Sequence, residues 1–328
     1  MRMPKALSYS GFSLWEKRPD EFYLKYLSER RPPRIPQEHP AAAGASFDAR
    51  VKANLRNDLG LGSYQEVFDH YFTEQVEPQN RDWALEEGRH IFDCYVVSGF
   101  YQELLKLLSV AKTTPRFEFT VEATVNGIPL LCKPDAGWTT PVGVDVVHDW
   151  KVNGYCSKST TSPHKSYKMC RDGYVAAKQS KSDYTEHKEF LAYPHGDLTI
   201  NATYLEAANP PWADQLTMYG WSLGEKIGDE KVVLSVHQIV AKPMPEARPQ
   251  LRVAEYRARV KSSYQYELSA RLSRCWSAII GGHIFPDFSR EDSDARCAVL
   301  DDTAAGLISD GSSLENYFAE CTRERYAG

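Results

Sequence analysis

Asp149 and Lys151 stand two residues apart in a largely apolar run, "VGVDVVHDWKVNGY" from Val142 to Tyr155. Strand side chains alternate, so residues two apart share a face, with backbones about 6.6 Å apart. Asp145, Val147, Asp149 and Lys151 then lie on one face, and Val144, Val146, His148, Trp150 and Val152 on the other. Taking charges out of water is costly unless they pair or hold a metal. Taken alone, the spacing fits a salt-bridged strand end as well as a site. Asp135, in "CKPDAGW", adds a second carboxylate. On a neighbouring antiparallel strand, about 5 Å away, it would meet Asp149 across the pair. Carboxylates that close repel and shift each other's pKa unless a cation sits between them. A hard divalent ion is held by one or two carboxylates plus waters and substrate phosphates. Lys151 beside such an ion would orient or deprotonate an attacking water, or stabilise charge building on a phosphate.

The elements that position these residues are legible as a change of period. A first helix carries Phe12, Trp15, Phe22, Tyr23, Tyr26 and Leu27, with Ser10 or Ser13 as its cap, and ends before "ERRPPRIP". A short helical segment follows Gly44, and a long helix runs from about Arg81 to Leu108. The period then becomes strand-like over 116–125, 128–138 and 142–152. Asn126-Gly127 between the first two segments is a hairpin signal, so the three read as an antiparallel meander. A polar, Lys-rich excursion occupies about 153–201. "NPPWADQLTMYGWSLGEKIG" reads as a helix with proline in its first turn. Strands near 232–241 and 250–260 and a helix over about 261–280 follow. The whole is one α/β core over 1–288, decorated with insertions, and an acidic, loosely held tail over 289–328.

Composition narrows the class. Of 328 residues 42% are hydrophobic and 25% charged, with a net charge of −5, so any nucleic acid must be met by a local basic patch. No apolar run approaches a membrane span, and "MRMPKALSYSGF" lacks the apolar core of a signal peptide. Seven cysteines, none in a C-x-x-C arrangement, fit reduced thiols in a cytoplasmic protein. Between Cys156 and Lys188 seven Lys/Arg stand against three Asp/Glu; from Asp287 onward ten acids stand against four bases. Lys158, Lys165, Lys168, Arg171, Lys178 and Lys181 could form a phosphate-tracking surface, or simply a solvated face. Tyr155, Tyr167 and Tyr174, interleaved with them, could stack on unpaired bases.

Pro134-Asp135 followed by Asp149-Trp150-Lys151 resembles the motif of the PD-(D/E)xK nuclease superfamily, in its RecB-like and phage-exonuclease branch. Three further features fall in that branch's order. "LSYSGFSLWEKRPDEFYLKYL" is similar to its opening helix. Gly44 and Asp48 in "GASFDARV" occupy the place of a glycine followed four residues later by a metal ligand. Gln215 and Tyr219 in "DQLTMYGW" match its Q-x-x-x-Y motif, and at i and i+4 they share one helix face. The resemblance spans roughly 7–240. It implies a restriction-endonuclease-like core, a central mixed β-sheet whose antiparallel catalytic meander is flanked by helices. It also implies Asp135, Asp149, Lys151, Gln215 and Tyr219 as catalytic residues. Mg²⁺ or Mn²⁺ would sit on Asp48, Asp135, Asp149 and the Trp150 backbone carbonyl. Asp48 departs from the branch's usual histidine, and a carboxylate there suits these harder ions. Arg18 stands where iron–sulfur members carry cysteine, and Cys275, Cys297 and Cys321 are too widely spaced for the cluster's triplet, so none is expected.

The reading implied is a DNA exonuclease of recombination or repair. It would act alone, as a homo-oligomer, or with a separate helicase or single-strand annealing protein. The rival is a nucleic-acid-binding module that kept the fold and lost turnover. A metal-dependent hydrolase of small phosphoesters is a third reading, and it leaves the basic excursion unexplained.

Overall fold

The chain, described here as a computed structural model over residues 1–31, 36–156, 162–171, 173–178, 192–202, 204–244 and 247–306, begins with helix α1 (Tyr9–Lys17). Its cap is Ser8, not Ser10 or Ser13: the Ser8 Oγ accepts the Gly11 N–H at 3.2 Å. Pro19 opens a short α2 (Pro19–Phe22), which runs into a π-helical turn, Tyr23–Leu27. α3 (His39–Asp58) starts before Gly44 rather than after it, with Pro40 in its first turn. After α4 (Tyr64–Gln75), the single helix expected over 81–108 is two, α5 (Arg81–Val97) and α6 (Phe100–Ser109). Gly99 breaks it by adopting φ 86°, a left-handed conformation that favours glycine.

The expected hairpin forms but splits in two. Its outer part, β2 (Val121–Val125) and β3 (Ile128–Cys132), is a separate two-stranded ladder closed by Asn126 and Gly127, both at positive φ. Its base, β1 (Arg116–Phe117) and β4 (Ala136–Thr139), belongs to the main sheet. Between the two parts Glu118 takes φ 49° and Pro134 has no N–H to give a ladder. The Glu118 N–H still donates to the Asp135 carbonyl at 3.0 Å, so these two residues face each other where the ladder breaks.

β5 (Asp145–Asn153) pairs antiparallel with β4 and parallel with β10 (Val233–Met244). The Lys-rich excursion is not just an insertion. It supplies β6 (Tyr167–Arg171) and β7 (Tyr174–Lys178), which complete a seven-stranded mixed sheet in the order β1-β4-β5-β10-β11-β6-β7, with β11 at Ala247–Ala258. It also supplies a small hairpin, β8 (Tyr193–His195) and β9 (Leu198–Ile200). Next to it come α7 (Leu205–Ala208) and α8 (Pro210–Ser222), the latter capped by Asn209, whose side chain accepts the Trp212 N–H. α9 (Ser262–Gly281) and α10 (Arg290–Ala304) close the described chain. α10 corrects the expectation of a loose tail over 290–304. Leu300 is buried, and Asp301 accepts hydrogen bonds from Tyr23 and Ser28. Residues 307–328 lie outside the described set.

Alternation along the strands puts a core on each face. Val147, Leu234, Val236, Ala254 and Tyr256 pack with α1, α8 and α9, while Val146, Trp150, Val233, Ile239 and Val253 pack with α3, α5 and α6. The site lies where α3 reaches past the sheet toward the hairpin break. α3 is set by a close approach to α5 at Gly88, where an added Cβ would collide with the Ser46 side chain and lie 2.9 Å from the Phe47 nitrogen. Gly88→Ala therefore displaces the helix that carries Asp48. We expect a loss of about 1–3 kcal/mol in chemical denaturation, whereas Gly60→Ala, with open space around it, should show only the smaller strain of a positive φ.

Candidate active site

Asp135 and Asp149 point to the same side of the sheet and touch. The register Ala136↔His148 places Asp135 opposite Asp149, and their carboxyl groups share a hydrogen bond. Asp135 Oδ2 also accepts the Trp150 N–H at 3.2 Å. Lys151 Nζ lies 2.6 Å from Asp149 Oδ2 and donates to Gln215 Oε1 at 2.8 Å. Gln215 Nε2 in turn donates to the Tyr219 hydroxyl at 2.8 Å. The strand pair and α8 thus join Asp135, Asp149, Lys151, Gln215 and Tyr219 in one continuous polar chain.

Two further residues, which the sequence reading did not single out, complete the site. Lys52, one turn beyond Asp48 on α3, is fully buried. Its ammonium sits 2.5 Å from Asp48 Oδ2 and 3.2 Å from Asp135 Oδ1, and it also contacts Glu118. Glu118 pairs on its other oxygen with Lys133 at 2.6 Å. One carboxylate oxygen each from Asp48, Glu118 and Asp135 falls within 4.8 Å of the others. This cluster opens on a cleft of about 410 Å³, lined also by Gly44, Trp150 and Lys151. Gly44 brings α3 close to β5, its Cβ position only 3.8 Å from Val152.

The charges hold one another in unusual states. Burial raises the Asp149 carboxyl well above the usual range, and the neighbouring Asp135 charge adds to the rise against the pull of Lys151. For Asp135 burial also pushes upward, but Lys52, the hydrogen bond from Asp149 and Lys151 outweigh it and leave the group well below the carboxylate range. The two carboxyl groups are thus displaced in opposite directions, Asp149 upward and Asp135 downward, and titrate as a pair. Burial pushes Asp48 up to about 7 in spite of Lys52. Burial works against both ammoniums, yet their carboxylate partners overcome it, so Lys52 and Lys151 stay protonated. Asp48 Oδ1 is buried with no hydrogen-bond partner among the described residues.

The other candidates fall elsewhere. Asp145 is exposed and accepts from Thr139 Oγ1 at 2.6 Å. His148 is buried, its Nδ1 on Ser235 Oγ at 2.9 Å, and Trp150 is core. The basic set does not line the cleft as one surface. Lys168 pairs in register with Val253, on the face opposite Lys151, and its amine lies over Phe100 and 3.5 Å from Glu103. Lys165 turns its amine onto the Asn201 carbonyl, and burial pulls its pKa down to about 7. Arg171 and Lys178 are exposed on the β6–β7 edge, three and four strands from β5, or roughly 14–19 Å. Lys158 and Lys181 lie outside the described residues. Tyr155 is buried with its hydroxyl on Glu87, which removes it as a stacking surface, whereas Tyr174 is exposed.

No family model matches the chain, and no curated protein does. Among solved structures, one described as "Crystal structure of SSO0001" is 12% identical, covers 80% of this chain and 84% of the other, and has a TM-score of 0.24. At that score the likeness carries no argument. Among the described residues no helix is long and apolar enough to cross a membrane.

The site predicts its own stability behaviour. Lys52→Met leaves three carboxylates facing one another, and we expect urea denaturation to show a loss of about 3–5 kcal/mol. A change below 1 kcal/mol would mean that the carboxylates relax into water without it.

Proposed function

We propose that this chain is a metal-dependent DNA nuclease of the PD-(D/E)xK type, with a restriction-endonuclease-like core, acting as an exonuclease in recombination or repair. The observation that carries the reading is the convergence of Asp135, Asp149, Lys151 and Gln215 from two strands and a helix. A strand-end salt bridge needs only one partner for each charge, whereas here the lysine is held between a buried aspartate and a helix glutamine, with a second aspartate touching the first.

The donor set fits a hard divalent ion such as Mg²⁺ or Mn²⁺: all candidate ligands are oxygens, and Asp48 Oδ1 is buried without a hydrogen-bond partner among the described residues. Asp48, Asp135, Asp149 and the Trp150 carbonyl would hold it, and when bound it supplies Lewis-acid polarisation of the phosphate and a water of lowered pKa. The remaining work falls to the chain. Water adds to phosphorus as the bond to the leaving oxygen breaks, giving up a proton to solvent while the leaving oxygen takes one up, and negative charge builds on the phosphoryl oxygens on the way. Lys151, kept protonated by Asp149 and Asp135, donates to that charge as a stabiliser and not as a base. Gln215 fixes the direction of the ammonium, and Tyr219 fixes the rotamer of Gln215.

Linear labelled DNA incubated with Mg²⁺, Mn²⁺ or EDTA tests this directly. Cleavage should require the metal. Asp149→Asn and Lys151→Ala should each slow it by about 10²-fold or more while thermal unfolding and DNA retention persist, and Asp145→Asn should be silent. Metal-independent retention without cleavage would support a binding module instead.

Metal binding should also depend on pH. Burial holds Asp48 at about 7 and raises Asp149 well above the ordinary carboxylate range, so an ion binding there displaces protons. Mn²⁺ affinity measured by calorimetry should therefore rise between pH 6 and 8 with net proton release; a flat profile would place the ion on other groups.

A further inference from the structure

Lys52 is the feature of the site that the proposed reaction leaves without a task. Its side chain is 0% exposed, and its ammonium touches Asp48, Glu118 and Asp135, the three residues whose oxygens approach within 4.8 Å of one another. That space is where a second divalent cation would have to coordinate if the site worked with two ions, since two-metal centres set their ions about 3.5–4 Å apart across shared carboxylates. We propose that Lys52 is a built-in cation that holds the site to a single divalent ion, placed on the Asp135–Asp149 side. This rests on the nuclease reading above and specifies how many ions that site loads.

Charge accounting supports it. Four carboxylates converge, Asp48, Glu118, Asp135 and Asp149, with side-chain exposures of 18%, 12%, 25% and 3%. Two ammoniums lie among them, Lys52 at 0% and Lys151 at 21%. Fully ionised, the four carboxylates set four negative charges against two positive, a deficit that one divalent ion cancels. A second ion would create an uncompensated excess in a poorly solvated space, where unpaired charge is costly. Lys133, 52% exposed on the outer oxygen of Glu118, tips the balance further against a second cation. Geometry agrees with charge. Lys52 is delivered by α3, which is pinned against α5 at Gly88, so one fixed helix sets the backbone positions of both Lys52 and Asp48. Lys52 is thus a positioning residue: it orients Asp48 and Glu118 and presents Asp135 to the single ion.

Isothermal titration of the full chain with Mn²⁺ decides the matter, because it counts ions without reference to cleavage. The wild type should bind one ion per chain. Lys52→Met should bind two, and the added metal should raise its melting temperature more than it raises that of the wild type. A wild type that binds two ions, or a folded Lys52→Met that still binds one, overturns the role given to Lys52 while leaving the nuclease reading intact. A wild type that binds none removes the metal site itself and the inference with it. If Lys52→Met shows no cooperative unfolding transition even with Mn²⁺, the wild-type stoichiometry decides alone: one ion upholds the role, and two overturn it.

Discussion

Four carboxylates share a small, poorly solvated volume beside β5 where the hairpin breaks, and this arrangement can exist only because cations stand between them. Lys52 and Lys151 occupy two of the places, on Asp135 and on Asp149. Buried ion pairs of this kind are poor devices for stability alone, because desolvation offsets much of their attraction. Their persistence at a cleft, with carboxyl groups displaced from their ordinary ranges in both directions, is what a site prepared for charge chemistry looks like.

The fold is arranged to bring these charges together from distant parts of the chain. β5 delivers Asp149 and Lys151 on one face while its other face, through Val146 and Trp150, anchors the opposite core. The hairpin break at Glu118 and Pro134 frees two carboxylates from ladder positions and turns both toward α3. α8 approaches from the other core and contributes Gln215, so Lys151 is gripped from both its own strand and a helix. No single element holds the site; it forms only when both layers are docked on the sheet.

Much of this was legible in the sequence, and the limits are instructive. Alternation in the strand put Asp149 and Lys151 on one face, and the spacing to Asp135 matched a neighbouring strand, because a period of two is fixed by backbone geometry. Gln215 and Tyr219 were legible through the resemblance to the Q-x-x-x-Y motif, and their i, i+4 spacing added only that they share a helix face. Lys52 was not, because a lysine four residues after an aspartate on a helix ordinarily reads as a solvated pair; only the packing of α3 against the sheet and the hairpin break shows that its amine is buried. Glu118 carried no signal at all, since its role depends on a break in a hairpin whose apolar pattern looks continuous. The basic excursion misled for the converse reason. Charge density said surface, but β6 pairs with β11, sends Lys168 to the far face and turns Lys165 inward.

The central claim is that Asp135 and Asp149 jointly hold a divalent cation beside the Lys151 ammonium. Diffraction from crystals soaked in Mn²⁺, recorded at the manganese absorption edge, tests it most directly. The account predicts an anomalous peak within coordination distance of one oxygen from each aspartate, with Lys151 Nζ close by. A fully loaded crystal with no peak there, or with its peak at another cluster, would contradict it.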